Sequence, residues 1–192
     1  MQPNLVKADV IRFLLAVAIA IMVSIALSFT LWSTAEAQQN TADGSTGRFF
    51  AGAALGLQTD TPDGTAYALG LYGDYYLTRR FSIGPLLQMG LTGDLFQVGL
   101  TGQAKYTFGI AGFPELKPHV QAGIGFIYAD LDRKGSKRED DTSFLMPFGA
   151  GAEYQLTDAV SLDATVLFNI TNLDVRDETF FITWLFGLRF AF

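Results

Sequence analysis

Residues 179–192 spell TFFITWLFGLRFAF. Every even position from 180 onward is apolar: Phe180, Ile182, Trp184, Phe186, Leu188, Phe190 and Phe192. The odd positions are mixed and include Thr183, Gly187 and Arg189. Apolar residues at every second position share one face of an extended strand. Exposed to water, that face would be a large contiguous apolar patch, whereas a strand facing lipid wants such a row. The stretch is therefore expected to end the chain inside a membrane, as the closing strand of a barrel.

The same rule, carried upstream, places strands at 48–58, 66–77, 81–92, 95–108, 118–129, 143–156 and 159–171, with 179–192 as the eighth. Each is roughly ten residues or longer, the length a tilted strand needs to cross a bilayer. The second has the row Tyr67, Leu69, Leu71, Gly73, Tyr75, Leu77, and the sixth has Phe144, Met146, Phe148, Ala150, Ala152, Tyr154, Leu156. The first row is the weakest: Phe49, Ala51, Ala53, Leu55, Leu57. None of the eight rows contains Asp, Glu, Lys or Arg. A Lys or Arg on the lipid face near the midplane costs about 2–4 kcal/mol, so charge-free rows are what the bilayer demands. Outward Tyr67, Tyr75, Tyr106, Tyr128, Tyr154 and Trp184 suit interfacial or lipid-facing positions.

Composition narrows the function classes. The chain has 192 residues, 49% of them hydrophobic, with 20 Gly and no Cys. Without cysteine there is no disulfide framework, thiolate metal site or Cys nucleophile. A formal charge of −6 argues against binding a nucleic-acid backbone. At the N-terminus, Lys7 and Arg12 precede an uncharged, largely apolar run from Phe13 to Trp32, and Ala35-Glu36-Ala37 fits a small-x-small cleavage site. The expected organisation is a signal-peptide helix at 1–37, a short segment at 38–47 and a transmembrane β-barrel at 48–192. The run 13–32 is also about 20 residues long, enough to span a bilayer uncleaved. The Ala-x-Ala site and the β-rich chain after it favour cleavage.

The connections fit hairpins. Thr78-Arg79-Arg80 and Thr157-Asp158 make tight turns, and Pro62 with Asp63-Gly64 marks a turn within 59–65. Asp130 to Thr142 is expected to be a long polar loop carrying Arg133, Lys134, Lys137, Arg138 and several acids. Two connections depart from the usual pattern of short inner turns and long outer loops: Thr92-Gly93-Asp94 is short, and Gly109 to Lys117 is long.

These features together resemble the small eight-stranded outer-membrane β-barrels of Gram-negative bacteria, the OmpA/OmpX/OmpW type. The resemblance covers 48–192 and rests on the alternating C-terminal strand and on segments such as Tyr75-Tyr76-Leu77-Thr78 and Glu153-Tyr154-Gln155-Leu156-Thr157. It implies an all-β, antiparallel, up-and-down transmembrane barrel, exported through the periplasm to the bacterial outer membrane. It also implies that Trp184, Phe186, Leu188, Phe190 and Phe192 serve as the signal to the barrel-assembly machinery.

If the apolar rows face lipid, the alternate rows face the lumen. The ionisable residues there are Arg48, Asp74, Lys105, His119, Glu153, Asp163 and Arg189. With both mature termini in the periplasm, all fall near the periplasmic end. A lone charge in a narrow barrel is poorly hydrated, and breaking a buried pair costs about 3–5 kcal/mol. An ion-pair cluster of Arg48, Asp74, Lys105, Glu153, Asp163 and Arg189 is therefore expected to close the lower lumen. Higher up, Leu86, Leu145, Leu167, Leu185, Phe181 and Ile127 point inward, with Ala66, Ala68, Gln88 and Gln97. They form either a packed plug or a small hydrophobic pocket.

Catalysis has little support. His119 is the sole histidine. It would need Asp163 or Glu153 as orienting partner and Ser82 or Ser161 as nucleophile. Outer-membrane lipid A deacylases resemble this architecture, but their His-x-Ser pattern is missing, since Val120 and Gln121 follow His119. The acids at 130–141 and 174–178 match no calcium loop, and Gly123-Ile124-Gly125 and Gly149-Ala150-Gly151 lack the helix a phosphate loop needs. No cofactor, metal site or nucleic-acid partner is expected. The leading expectation is a non-enzymatic structural or interaction protein of the envelope with a closed lumen. A porin-like, OmpW-like route for small hydrophobic molecules comes second and a lipid-modifying enzyme third. Expected partners are outer-membrane lipid and lipopolysaccharide, and the assembly machinery during biogenesis; the polar stretch 130–141 is read first as a solvated outer loop, with weak contact between the basic residues of 133–138 and lipopolysaccharide phosphates as the alternative.

Overall fold

Alternation in the sequence becomes a continuous hydrogen-bonded ladder in the computed structural model, which describes residues 47–132, 139–175 and 178–192. The expected signal segment 1–37, residues 38–46 of the segment after it, and the basic loop residues Arg133, Lys134, Lys137 and Arg138 lie outside the described residues. The strands are β1 (Phe49–Thr61), β2 (Gly64–Tyr76), β3 (Phe81–Leu91), β4 (Leu95–Thr107), β5 (Leu116–Leu131), β6 (Glu139–Gln155), β7 (Val160–Leu173) and β8 (Glu178–Ala191). Each pairs antiparallel with the next, and β8 pairs with β1 from Phe50↔Ala191 to Thr59↔Ile182. The sheet closes on itself as an eight-stranded antiparallel barrel. Closure removes the unpaired edge that hydrocarbon cannot solvate.

The two rows of each strand separate cleanly. In β8, Phe181, Thr183, Leu185 and Arg189 are buried, while Trp184, Phe186, Leu188 and Phe190 are exposed on the outer wall. In β4, the buried residues run Leu95, Gln97, Gly99, Thr101, Gln103, Lys105 and Thr107. This is inverted relative to a water-soluble sandwich: the apolar residues are outside, and many polar ones inside.

Both chain ends of the barrel, together with the turns 77–80, 108–115 and 156–159, lie at one end, here called the base. The other four connections form the rim. Three short turns share one device. Thr78, Thr92 and Thr157 each accept through Oγ1 from two backbone N–H groups just ahead, at 3.3 and 3.0 Å, 3.2 and 2.8 Å, and 3.3 and 3.1 Å. A side-chain oxygen placed there substitutes for the missing ladder partner. At the rim, Thr92 Oγ1 also donates to Asp63 Oδ2 at 2.6 Å, tying two hairpins together.

The rim strands are longer than the sequence suggests. The expected loop 130–142 is shortened because the ladder continues through Asp130↔Asp140 and Leu131↔Glu139. Polar residues there stand above the hydrocarbon, where alternation of hydropathy no longer marks a strand. Likewise β1 and β2 run on to Thr61 and Gly64, leaving Pro62 and Asp63 as the turn. The ladder slips between Gln58 and Thr61, where Asp60 takes a φ of 59° and Gly64 one of 85°.

The outer face gives a direct test. Leu100 lies mid-strand in β4 and is exposed on the lipid side. Leu100→Arg is expected to destabilise the barrel by about 2–4 kcal/mol in equilibrium unfolding from lipid vesicles, whereas Leu100→Ile should be nearly neutral.

Candidate functional site

The lumen is layered. At the rim, Leu95, Ile127, Leu131, Leu145, Leu173 and Phe181 pack into one apolar cluster. Below it lies a belt of amides and hydroxyls. Asn169 Nδ2 donates to Thr183 Oγ1 at 2.9 Å, Gln88 Nε2 donates to Asn169 Oδ1 at 3.2 Å, and Gln97 Nε2 donates to Gln58 Oε1 at 2.5 Å. A second apolar cluster, Ala54, Ala68, Leu86, Leu167 and Leu185 with Tyr72 against it, separates the belt from the base.

The base holds the charges. Arg189, only 1% exposed, reaches from β8 past both of its ladder neighbours. Its Nη1 donates to Glu153 Oε2 of β6, and its Nη2 donates to Asp74 Oδ2 of β2 at 2.5 Å. Lys105 Nζ of β4 donates to the same Asp74 oxygen at 3.0 Å. Both cations also lie over aromatic faces: the Arg189 guanidinium is 5.1 Å from the Phe50 ring, and Lys105 Nζ is 5.5 Å from the Tyr72 ring. These contacts use the apolar walls as a weak counter-charge where water is scarce.

A second group stands beside the first. Thr165 Oγ1 donates to Asp163 Oδ1 at 2.8 Å and lies 3.1 Å from His119 Nε2. Because the hydroxyl hydrogen goes to Asp163, the hydroxyl oxygen is left to accept, which places the imidazole N–H on Nε2. Gly151 makes room for this pair: a Cβ there would sit 2.6 Å from both His119 Nε2 and Thr165 Oγ1. Between the two groups lies a cavity of about 20 Å³, bordered by Tyr72, Gln103, Lys105, Gln121 and Asp163. That is room for about one water.

The structure brings Asp74, Lys105, Glu153, Asp163 and Arg189 to one end of the lumen and leaves Arg48 out. Arg48 precedes β1 and its side chain is exposed. The β1–β8 ladder begins only at Phe50, so nothing on the β8 side turns Arg48 inward. The lumen thus sets three carboxylates against two permanent cations, with His119 next to Asp163 at 4.0 Å. His119 bonds to Thr165 rather than to Ser82 or Ser161, both of which are buried in the lumen wall. Among the described residues, no group of three or more His, Cys, Asp or Glu side chains is arranged to hold a metal ion.

Sequence reasoning missed Thr165, Phe50 and the Gln58–Asn169–Thr183 belt. All lie on inward rows, and Thr165 stands two residues from Asp163, but their partners come from other strands. Only the inter-strand register reveals which inward residues share a level.

Comparison with known proteins decides the family. The outer membrane protein beta-barrel domain family matches residues 20–190. The chain belongs to that family. It is an integral protein of the bacterial outer membrane. Among solved structures it is similar to the N-terminal β-barrel domain of OprF from Pseudomonas aeruginosa, at 19% identity and a TM-score of 0.59, covering 77% of this chain and 98% of that one. It is similar to Neisserial surface protein A at 18% identity and a TM-score of 0.59, covering 76% and 96% respectively. OprG from Pseudomonas aeruginosa matches at 13% identity and a TM-score of 0.53, covering 78% and 98%. At these identities the likeness is one of fold. No curated protein matches this chain in sequence.

The geometry assigns unequal weight to the base residues of this outer-membrane barrel. Arg189→Ala leaves Asp74 and Glu153 each short of a buried donor and is expected to cost about 3–5 kcal/mol in unfolding from lipid vesicles. Adding Glu153→Gln should recover part of that loss; strict additivity of the two changes would mean the pair is uncoupled.

Proposed function

We propose that this barrel is a non-enzymatic structural or interaction protein of the outer membrane, with a lumen that passes no solute. The observation that carries the reading is the filled cross-section. Inward residues at every depth are buried, from Leu145 and Thr183 at 0% through Leu167 at 0% to Arg189 at 1%. An eight-stranded barrel is only wide enough for side chains to fill it, and the bonded base spans β2, β4, β6 and β8 across that width. Opening a path would require breaking buried, charge-assisted bonds as well as both apolar clusters.

In this reading the barrel is a rigid membrane-embedded frame, and its interactions take place at its rim and outer wall. Its partners are lipopolysaccharide, through the basic residues of 133–138, and the assembly machinery, through the row Trp184 to Phe192. His119 supports no hydrolytic role: it is 2% exposed, faces the lumen, and is bonded to Thr165. A nucleophile there would have no route to a lipid on the outer wall.

Planar-bilayer recording tests the closed lumen. The purified barrel is expected to show no steady unitary conductance at neutral pH. A steady conductance that disappears in Leu86→Trp or Leu167→Trp would establish a channel instead. Incubation with lipid A should release no fatty acid; release that is lost in His119→Ala would make the protein an enzyme.

A further inference from the structure

The base connection 108–115 has a length and a composition that a closed lumen does not explain. It reads FGIAGFPE, and all of its residues are exposed, with Glu115 the one charge. The other two base turns, 77–80 and 156–159, are short and carry Arg79 with Arg80 and Asp158. The long connection is folded on itself. Phe113 N donates to the Ile110 carbonyl at 3.2 Å, and Leu116 N donates to the Phe113 carbonyl at 3.2 Å, so one turn follows another. Gly112, with a φ of 88°, fills the third position of the first turn, where a left-handed residue is needed. Gln155 N donates to the Glu115 carbonyl at 2.9 Å and ties the returning leg to β6. The result is a compact knob on which Phe113 is 66% and Ile110 37% exposed. Its turn bonds satisfy backbone groups that would otherwise resist leaving water.

Depth decides what meets the knob. The outward row of β4 starts at Phe96, which pairs with the outward acid Asp130 at the rim edge of the hydrocarbon. From Phe96 to Phe108, a strand rising ~3.3 Å per residue and tilted about 45° descends about 28 Å, slightly more than the ~25 Å apolar band of such barrels. Phe108 therefore stands at the base edge of that band, level with Arg80, whose carbonyl accepts from Thr107 N at 2.7 Å. Two further residues put the Ile110–Phe113 bridge about 5 Å lower, within an interfacial layer about 5–7 Å deep. The apolar surface is continuous down to that level. Phe108 packs edge-on against Tyr106 with centroids 5.1 Å apart, Tyr106 pairs with Phe81, and on the returning leg Leu116 pairs with Tyr154. Tyr106 and Phe108 are the interfacial aromatics common at strand ends of membrane barrels. The knob extends their surface past the strand ends, on one side of the base. A soluble protein would reach it only by displacing head groups, whereas phospholipid meets it directly.

We propose that the connection 108–115 is a lipid anchor. Ile110 and Phe113 sit in the phospholipid interface beside β4 and β5 and hold that side of the base at a fixed depth. With the base toward the periplasm, the lipid is that of the inner leaflet. The anchor does not depend on whether the lumen is closed.

Because the chain has no cysteine, a fluorophore attached at Ala111→Cys reports on the knob with both apolar side chains intact. One at Asp158→Cys reports on a polar base turn. Each variant is reconstituted in vesicles of phosphatidylethanolamine and phosphatidylglycerol, with iodide on both sides of the membrane or a nitroxide near the glycerol end of the acyl chain. The nitroxide should quench the probe at 111 and iodide should not, with the reverse at 158. Adding Ile110→Ser and Phe113→Ser should restore iodide quenching at 111 while leaving heat-modifiable gel migration unchanged. Iodide quenching at 111 equal to that at 158 would overturn the proposal. So would a probe at 111 shielded from both quenchers, the mark of a protein partner or a second copy. Undiminished lipid quenching in the serine variant would mean that the strands alone set the depth of the connection, and the anchor would fall. Should the serine variant fail to fold, the comparison of 111 with 158 decides alone.

Discussion

Pairing of β1 with β8 is the constraint on which everything else in this molecule depends. In hydrocarbon an unbonded N–H or C=O has no water to turn to, and each one costs several kcal/mol. A row of ten paired positions from Phe50↔Ala191 to Thr59↔Ile182 joins the two ends of the sheet. Closure then fixes the width. Eight strands enclose a bore that side chains fill, and the alternation that turns Phe186 and Leu188 toward lipid necessarily turns Leu185 and Arg189 toward one another's neighbours inside. The polar interior is thus a geometric consequence of an apolar exterior with a period of two.

A narrow bore makes charge expensive, and the base shows how that cost is offset. Asp74 accepts from two cations, Arg189 donates to two carboxylates, and aromatic rings of Phe50 and Tyr72 cover the cation faces. The remaining acid, Asp163, is held by a neutral hydroxyl instead, with the His119 ring behind it. Fixed charges therefore occupy the lower lumen next to a void of about one water, while the amide belt above is separated from them by the Leu86–Leu167–Leu185 cluster. Polar and apolar groups thus alternate along much of the bore.

Much of this was legible in the sequence, and the failures have specific causes. The eight strands follow from rows such as Tyr67–Leu77, because lipid imposes a uniform demand on outward positions. The strands at the rim were underestimated where the hydrocarbon ends: Asp130↔Asp140 pairs in the ladder although neither residue has an apolar signature. Extending the alternation of β1 two residues past Phe50, its first residue paired with β8, puts Arg48 in the lumen, where the structure does not. Asn169, Gln88 and Gln97 could be called inward from parity, yet their connection needed the stagger between strands, which no single-strand pattern encodes.

The distribution of base residues along the chain also bears on how the barrel forms. Asp74, Lys105, Glu153 and Arg189 come from β2, β4, β6 and β8, alternate strands that are never ladder neighbours. Their bonds cross the bore and so add information that strand pairing lacks: they report whether the right strands face each other at the right height. Arg189, on the last strand, supplies the shared donor, 115 positions along the chain from Asp74. Until β8 arrives, Glu153 has no cationic partner among the described contacts and Asp74 has Lys105 alone. A β8 shifted by one residue would turn Arg189 to the lipid face and leave both acids in the lumen without it. The same interaction that closes the base therefore penalises misregistered closure, and it does so at the strand whose pairing completes the barrel.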